Sequence, residues 1–100
     1  MTKFKNQYYL KCSINKDMFD DERIVDFGII YRGEPSSDAC IVSKDEIIST
    51  AKNSGLVKVT LLSVEDDKAR IELYNIQMNE KQKYCVYKKD LSIRHANGVA

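Results

Sequence analysis

Residues 56–74 read LVKVTLLSVEDDKARIELY, and two runs rich in β-forming residues flank the polar tetrapeptide at residues 65–68. Two such runs around a short polar connection are the usual signature of a β-hairpin. Because side chains alternate between the faces of a strand, each run carries one apolar row. The rows are Val57, Val59 and Leu61, and then Ala69, Ile71 and Leu73. The stretch therefore predicts a sheet that covers a core.

Further strands are predicted on both sides of this hairpin. Residues 8–14, YYLKCSI, alternate between apolar and polar positions. In residues 23–31 the apolar row is Val25, Phe27, Ile29 and Tyr31. Gly28 inside the second run predicts a bulge or a bend. Turn-forming residues at 32–38 then lead into a strand at 39–42. The last strand is predicted at 83–87, after a polar loop at 75–82.

The connections also carry signals. Ser43 and Glu46 have the spacing of a capping box, which predicts a short helix over residues 44–53 with Gly55 in the left-handed position past its end. The acidic segment 15–22 is predicted to be a loop anchored by Met18 and Phe19. Residues 92–100 are predicted to be a flexible tail.

These elements predict one domain over residues 1–100, mainly β (small α+β). About six short antiparallel strands are expected to form a small barrel or rolled sheet, with the one short helix between them. The ending, a hairpin followed by a loop and YCVYKKDL at residues 84–91, resembles the end of SH3-like small barrels. The resemblance covers about a third of the chain and implies at most an SH3-like fold.

The charges nearly cancel, since the formal net charge is +1. Acidic residues concentrate in the segment 17–26 and basic residues in the segment 81–94. If the two segments are neighbours, they are complementary partners within the fold; if they lie apart, either can form a patch for another molecule.

The three cysteines, Cys12, Cys40 and Cys85, lie inside apolar or strand-like runs, where a reduced thiol behaves as a small hydrophobic group. Neither a charged-then-apolar leader nor an apolar run of about 20 residues is visible. These features favour a cytoplasmic protein that does not enter a membrane.

Signatures of catalysis or cofactor binding are not found. His95 is the sole histidine and falls in the predicted tail, the cysteines lack zinc-site spacing, and the four glycines form no phosphate-binding loop. The acidic segment lacks the central glycine and alternating ligands of a calcium loop. We therefore expect no metal, no cofactor and no enzymatic activity. An enzyme using Cys12 or the acidic segment is the least favoured hypothesis, and a low thiol pKa at any cysteine would favour it again.

The strand KQKYCVYKK, residues 81–89, is the best candidate for a binding site. If Tyr84 and Val86 face the core, Lys83, Cys85, Tyr87 and Lys89 share the outer face. The alternative is an edge strand whose lysines prevent aggregation. The predicted site residues are Lys83, Tyr87, Lys88, Lys89 and Arg94.

The sequence thus favours a small cytoplasmic non-enzymatic binding domain that binds a protein partner or itself through a sheet face or edge. The alternative is a nucleic-acid-binding small barrel that stacks a base on Tyr87. One tyrosine and a net charge of +1 are a weak nucleic-acid footprint, so the protein partner is preferred at this point.

Overall fold

The computed structural model describes residues 6–16 and 20–95 of the chain. Strands make up 79% of these residues. In chain order they are β1 (Asn6–Lys16), β2 (Glu22–Tyr31), β3 (Glu34–Ser43), β4 (Ile47–Ala51), β5 (Ser54–Glu65), β6 (Lys68–Asn75), β7 (Glu80–Tyr87) and β8 (Leu91–His95). The helical residues in the described ranges form two three-residue 3-10 turns, Lys44–Glu46 and Lys88–Asp90.

The strands form one curled antiparallel sheet. Six of them follow the order β3-β2-β1-β5-β6-β7, while β4 pairs with β5 and β8 returns to pair with β1. The result is an open half-barrel. The mainly β prediction and the small rolled sheet are therefore confirmed.

The hairpin that the sequence predicts most strongly is formed by β5 and β6. Its turn is Asp66 and Asp67, with Glu65 opposite Lys68 and a positive φ of 55° at Asp66. The two predicted apolar rows face inward, although Leu61 is only partly buried. The register shifts between Leu61 and Ser63, a bulge that the sequence did not predict.

The core fills the concave side of the sheet. Its buried apolar residues are Leu10, Cys12, Val25, Phe27, Cys40, Val42, Val57, Val59, Ala69, Ile71, Leu73 and Val86. The Phe27 ring meets the Tyr84 ring edge-on, at 5.0 Å between centroids and 81° between planes. The β2–β3 hairpin therefore packs over the inner face of β7, and each large buried side chain contributes about 1.5 to 3 kcal/mol through burial.

The helix predicted over residues 44–53 is wrong. Ser43 Oγ accepts a hydrogen bond from the Asp45 N–H at 3.3 Å, but only the turn Lys44–Glu46 follows. The chain then enters β4, where Ile47 and Ile48 pair with β5. β-Branched side chains favour strands, and pairing with β5 overrides the local capping signal.

Gly55 also has a different role from the one predicted. It lies in β5, and the left-handed residue of the β4–β5 turn is Asn53, with φ 61°. A Cβ on Gly55 would lie 2.5 Å from the Ile48 carbonyl oxygen and 2.5 Å from Ile14 Cδ1. Glycine is therefore required here by the close approach of β4 and β1.

Two further predictions need correction. Residues 92–95 do not begin a flexible tail, because they belong to β8, which pairs with β1; residues 96–100 lie outside the described residues. Gly28 causes no bulge in the regular β2–β3 ladder, yet β2 does leave β1 after Asp26. The predicted anchors Met18 and Phe19 lie outside the described residues.

Candidate functional site

The alternation predicted for β7 is confirmed. Val86 is 0% exposed and Tyr84 packs against the core. The neighbouring side chains Lys83, Cys85 and Tyr87 therefore project from the outer, convex side. The outer side of the half-barrel thus carries the residues that the sequence assigned to it.

The end of β7 gathers three of the predicted site residues. Lys89 Nζ lies 5.6 Å from the centroid of the Tyr87 ring, within the range of a cation–π contact. The Lys88 N–H donates to the Asp67 carbonyl oxygen at 2.8 Å, so the 3-10 turn is tied to the β5–β6 hairpin. Tyr87, Lys88 and Lys89 are therefore held together.

Arg94 lies at the opposite side of the same surface. It pairs with Gln7 of β1, and the registers continue the row through Thr60 and Glu72 to Lys83. Four strand spacings separate Arg94 from Lys83, roughly 19 Å along the sheet. The predicted site residues therefore lie on two strands, β7 and β8, and on the three-residue turn that joins them.

We define the outer face as the outward side chains of β1, β5, β6, β7 and β8. Its cations are Lys11, Lys58, Lys68, Arg70, Lys81, Lys83 and Arg94, and its carboxylates are Glu65 and Glu72. Its tyrosines are Tyr9, Tyr74 and Tyr87. Sequence reasoning missed most of these residues. The alternation within each strand was the available signal, but only the registers align separate strands into one surface.

Tyr74 is held in an exposed position on this face. Its side chain is 44% exposed, and its hydroxyl donates to Asn79 Oδ1. Lys58 and Lys81 line a shallow depression of about 140 Å³ beside it. Both ammonium groups have carboxylate neighbours, Glu46 Oε2 at 4.0 Å from Lys58 and Glu72 Oε1 at 3.7 Å from Lys81. The Lys58–Glu46 pair is solvent-exposed, so it is weak, is screened by salt and leaves Lys58 able to exchange partners, whereas the Glu72 side chain is only 17% exposed.

The β2–β3 hairpin carries the opposite charge. Its carboxylates are Glu22, Asp26, Glu34 and Asp38, and its cations are Arg23 and Arg32. Acidic and basic side chains are thus segregated between the hairpin and the outer face. β2, which contains the end of the acidic segment, contacts β7 of the basic segment, with 5.0 Å between the centroids of the Phe27 and Tyr84 rings.

The free edge of β3 is poorly suited to pairing with another strand. The two-residue turn at Arg32 and Gly33 makes odd-numbered residues of β3 point their backbone groups toward that edge. Pro35 has no N–H there, the Ala39 N–H bonds to Asp38 Oδ1, and the Ile41 carbonyl oxygen accepts from the Ile76 N–H. At three positions along the edge, a backbone group that another strand would need is therefore missing or already hydrogen-bonded.

A polar cluster inside the half-barrel has its hydrogen bonds satisfied. Gln82 Oε1 lies 3.1 Å from the Tyr84 hydroxyl and 3.2 Å from both Cys40 Sγ and Asn75 Nδ2. Cys40 Sγ also contacts the Tyr84 hydroxyl at 3.2 Å. Every buried side-chain nitrogen and oxygen of the described residues has a partner. The cluster therefore joins β3 to β7 and has no unsatisfied group aimed at a ligand.

The buried thiols are poorly suited to nucleophilic chemistry. Burial, and secondarily Asp26, raises the pKa of Cys12 to about 11. Burial likewise raises the pKa of Cys40, partly offset by its hydrogen bond to Tyr84. Both thiols therefore stay protonated at neutral pH, whereas a catalytic cysteine needs the thiolate.

Residues 6–16 and 20–95 contain no group of three or more side chains that could hold a metal ion. Within the same residues, no helix has the length and apolar character needed to cross a membrane. Comparison with protein-family models, curated proteins and solved structures finds no significant match.

Proposed function

We propose that this chain is a small non-enzymatic binding domain and that its outer face binds single-stranded nucleic acid. The observation that carries the proposal is the gathering of cations and tyrosines on one side of the sheet, with most of the remaining carboxylates on the β2–β3 hairpin and in the turns. A positively charged surface with interleaved aromatic rings matches the two needs of a single strand, because phosphates require cations and bases require stacking partners.

The arrangement around Lys58 illustrates this match. Tyr9 lies directly opposite Lys58 on β1, and Tyr74 lies on the other side of Lys58, on β6. The β5–β6 ladder begins at Thr60 opposite Glu72, and Tyr74 lies two residues beyond it, where it lines the same depression as Lys58. The order ring, cation, ring across three strands lets two bases stack while the ammonium group meets the phosphate between them.

This ranking differs from the one that the sequence favoured. The sequence offered one tyrosine, Tyr87, in a short basic segment, and that is a weak footprint. The registers add Tyr9 and Tyr74, together with Lys58 and Arg70, to the same surface. Clustering on one face supports nucleic-acid binding even at a net charge of +1, because a strand responds to the local charge of the surface it contacts.

A protein partner, either another chain or a second copy, is the second candidate. It is favoured by Leu62, which is 44% exposed at the bulge of β5. Pairing through the β3 edge is disfavoured by the bonded groups at Ala39 and Ile41. A protein partner would therefore bind the outer face, with Leu62 as its apolar contact.

The kind of barrel and the location are part of the same proposal. The 3-10 turn after β7 and the return of β8 to β1 support an SH3-like small barrel, in line with the resemblance at the chain's end. Free, buried Cys12 and Cys40 support a reducing cytoplasm.

Fluorescence anisotropy with a labelled oligo-uridine tests the proposal directly. The logarithm of the affinity should fall linearly with the logarithm of the salt concentration. Arg70→Glu should weaken binding and reduce the slope by about 0.7 for each phosphate that the variant no longer neutralises. Lys52→Glu is the matched control because Lys52 lies in the β4–β5 turn, outside the outer face.

A pull-down from native lysate, with and without nuclease, separates the two candidates. Loss of the captured material after nuclease treatment would agree with the nucleic-acid proposal. A protein that remains bound after nuclease, combined with an oligo-uridine that does not bind at low salt, would favour the protein partner instead.

A further inference from the structure

One edge of β1 pairs with β8 along its first half and with β2 along its second half, and an unpaired gap separates the two ladders. The β1–β2 ladder ends at Ser13 opposite Asp26, and the β1–β8 ladder ends at Leu10 opposite Leu91. Neither ladder includes Lys11. The gap arises because β2 departs to cover the core before β8 arrives.

The peptide groups of Lys11 point into this gap. The Ile14 N–H donates to the Asn53 carbonyl oxygen at 3.0 Å, so even-numbered residues of β1 direct their backbone groups toward β5. Backbone groups alternate from one side of a strand to the other, so Lys11 directs its own N–H and C=O the opposite way. The gap therefore offers a backbone donor and a backbone acceptor that belong to neither ladder.

An open depression of about 500 Å³ extends from the gap across β1 to Thr50 of β4 and to residues 54–56 of β5, and we call it the gap pocket. Charged groups from three elements line it: Lys11 of β1, Asp26 of β2 and Asp90 of the second 3-10 turn. Phe27 and Leu56 are the large apolar residues of the lining, and Gly28 adds no side chain to it. The volume lies within the range of small-molecule sites, and the lining combines an apolar surface with a few polar groups, as such sites do.

The polar groups of the gap pocket select for a ligand with paired donors. Asp26 Oδ2 accepts from Asn15 Nδ2 at 2.8 Å, which leaves its other oxygen for a ligand. Asp90 is the second carboxylate of the gap pocket, and a carboxylate accepts two parallel hydrogen bonds best when the donors are adjacent. Among the bases, guanine presents N1–H beside its N2 amine. The Lys11 ammonium and N–H are suited to the acceptors O6 and N7 of the same base. Uracil has no amine to offer.

We propose that the gap pocket binds a guanine base of the strand held on the outer face, a proposal that rests on the proposed function. Tyr9 lies two residues from Lys11 on the same side of β1. A base stacked on Tyr9 would therefore have its neighbour beside the gap pocket. Recognition of an unstacked base by its hydrogen-bonding edge is the usual source of sequence preference in single-strand binding.

The test compares two oligonucleotides that differ at one position. The first is a short oligo-uridine, and the second is the same strand with one central guanosine. The wild-type chain should bind the guanosine strand about tenfold more tightly, which is the discrimination expected of one bidentate pair. Asp90→Asn should bring the ratio of the two affinities close to one, and Asp45→Asn, which lies outside the gap pocket, should leave the ratio unchanged.

The possible outcomes separate this inference from the proposed function. Equal affinities of the wild-type chain for both strands overturn the guanine site and leave nucleic-acid binding intact. If neither strand binds, titration with guanosine monophosphate decides: shifts in the Lys11 and Gly28 amide resonances that uridine monophosphate does not produce support the gap pocket, and their absence overturns it. If Asp90→Asn does not fold, as judged by circular dichroism, Asp26→Asn replaces it.

Discussion

The inner and outer faces of the same sheet differ in what they require of their residues. In β6, Ile71 is 0% exposed while its neighbour Arg70 is exposed. The inner side chains are fixed by packing against one another, and a change in volume there is felt by the whole core. The outer side chains meet water and remain available for charge and aromatic groups. The comparison implies that stability and binding are separable by mutation, one face at a time.

The largest expected effect is on stability, from truncation of the inner face. Ile71→Ala should lower the free energy of unfolding by about 2 to 5 kcal/mol, because it leaves a cavity at a fully buried site. Arg70→Ala, one residue away on the outer face, should change it by less than about 0.5 kcal/mol. Urea unfolding measures both. Equal losses would mean that the two faces are not energetically distinct.

A second effect of the inner face appears at alkaline pH. The pKa of Cys12 is raised from 9.0 to about 11 in the folded chain. Folding therefore favours the protonated thiol, and ionisation of this thiol costs no stability below pH 9. Stability is lost as the pH rises from 9 toward 11, because the unfolded chain then releases the proton more readily than the folded chain. The loss approaches roughly 3 kcal/mol at about 1.4 kcal/mol per pH unit. Tyr84, whose pKa burial also raises, adds a loss of the same sign at higher pH.

Unfolding midpoints measured from pH 8 to 10.5 check the effect of Cys12. Cys12→Ala should have a shallower decline than the wild type over this interval, even though its stability at neutral pH is lower. Parallel declines in the two proteins would remove Cys12 as a cause.

The outer face is tested by binding. Tyr87→Ala should weaken single-strand binding by about 1 to 3 kcal/mol, the range for loss of a stacked base. Its melting temperature should stay close to that of the wild type, because the ring is only partly buried and its contact is with Lys89. A large fall in melting temperature would place Tyr87 among the structural residues.

The smallest expected effect is the difference in stability between removing the hydroxyl group of Tyr84 and removing that of Tyr87, the two tyrosines of β7. Tyr84→Phe removes the hydroxyl that contacts Cys40 Sγ and Gln82 Oε1, so we expect a loss of about 1 kcal/mol in stability. Gln82 Oε1 keeps Cys40 and Asn75 as neighbours, which limits the loss. Tyr87→Phe is the matched control and should be neutral in the same unfolding assay.

Local patterns predicted the faces of single strands well. The rows that contain Val59 and Ile71 face inward as expected, and so does Val86. A side chain's face follows from alternation alone, which is a property of each strand taken separately. The same reasoning placed Lys83 and Tyr87 outward.

Features that depend on distant parts of the chain could not be predicted. Ser43 and Glu46 satisfied a local helix signal, but pairing of Ile47 and Ile48 with β5 made the segment a strand. Residues 91–95 have no distinctive pattern, and β8 forms because β1 has an available edge. Tyr9 and Tyr74 join one surface only through the registers of β1, β5 and β6, which no single segment encodes.

The bonded edge of β3 has a consequence for the protein at high concentration. Ordered fibrils grow when each arriving chain continues a backbone ladder on the last one. Along β3 that ladder would be interrupted at Pro35, at Ala39 and at Ile41, each for a different chemical reason. These interruptions make β3 a poor starting point for fibril growth while the domain is folded.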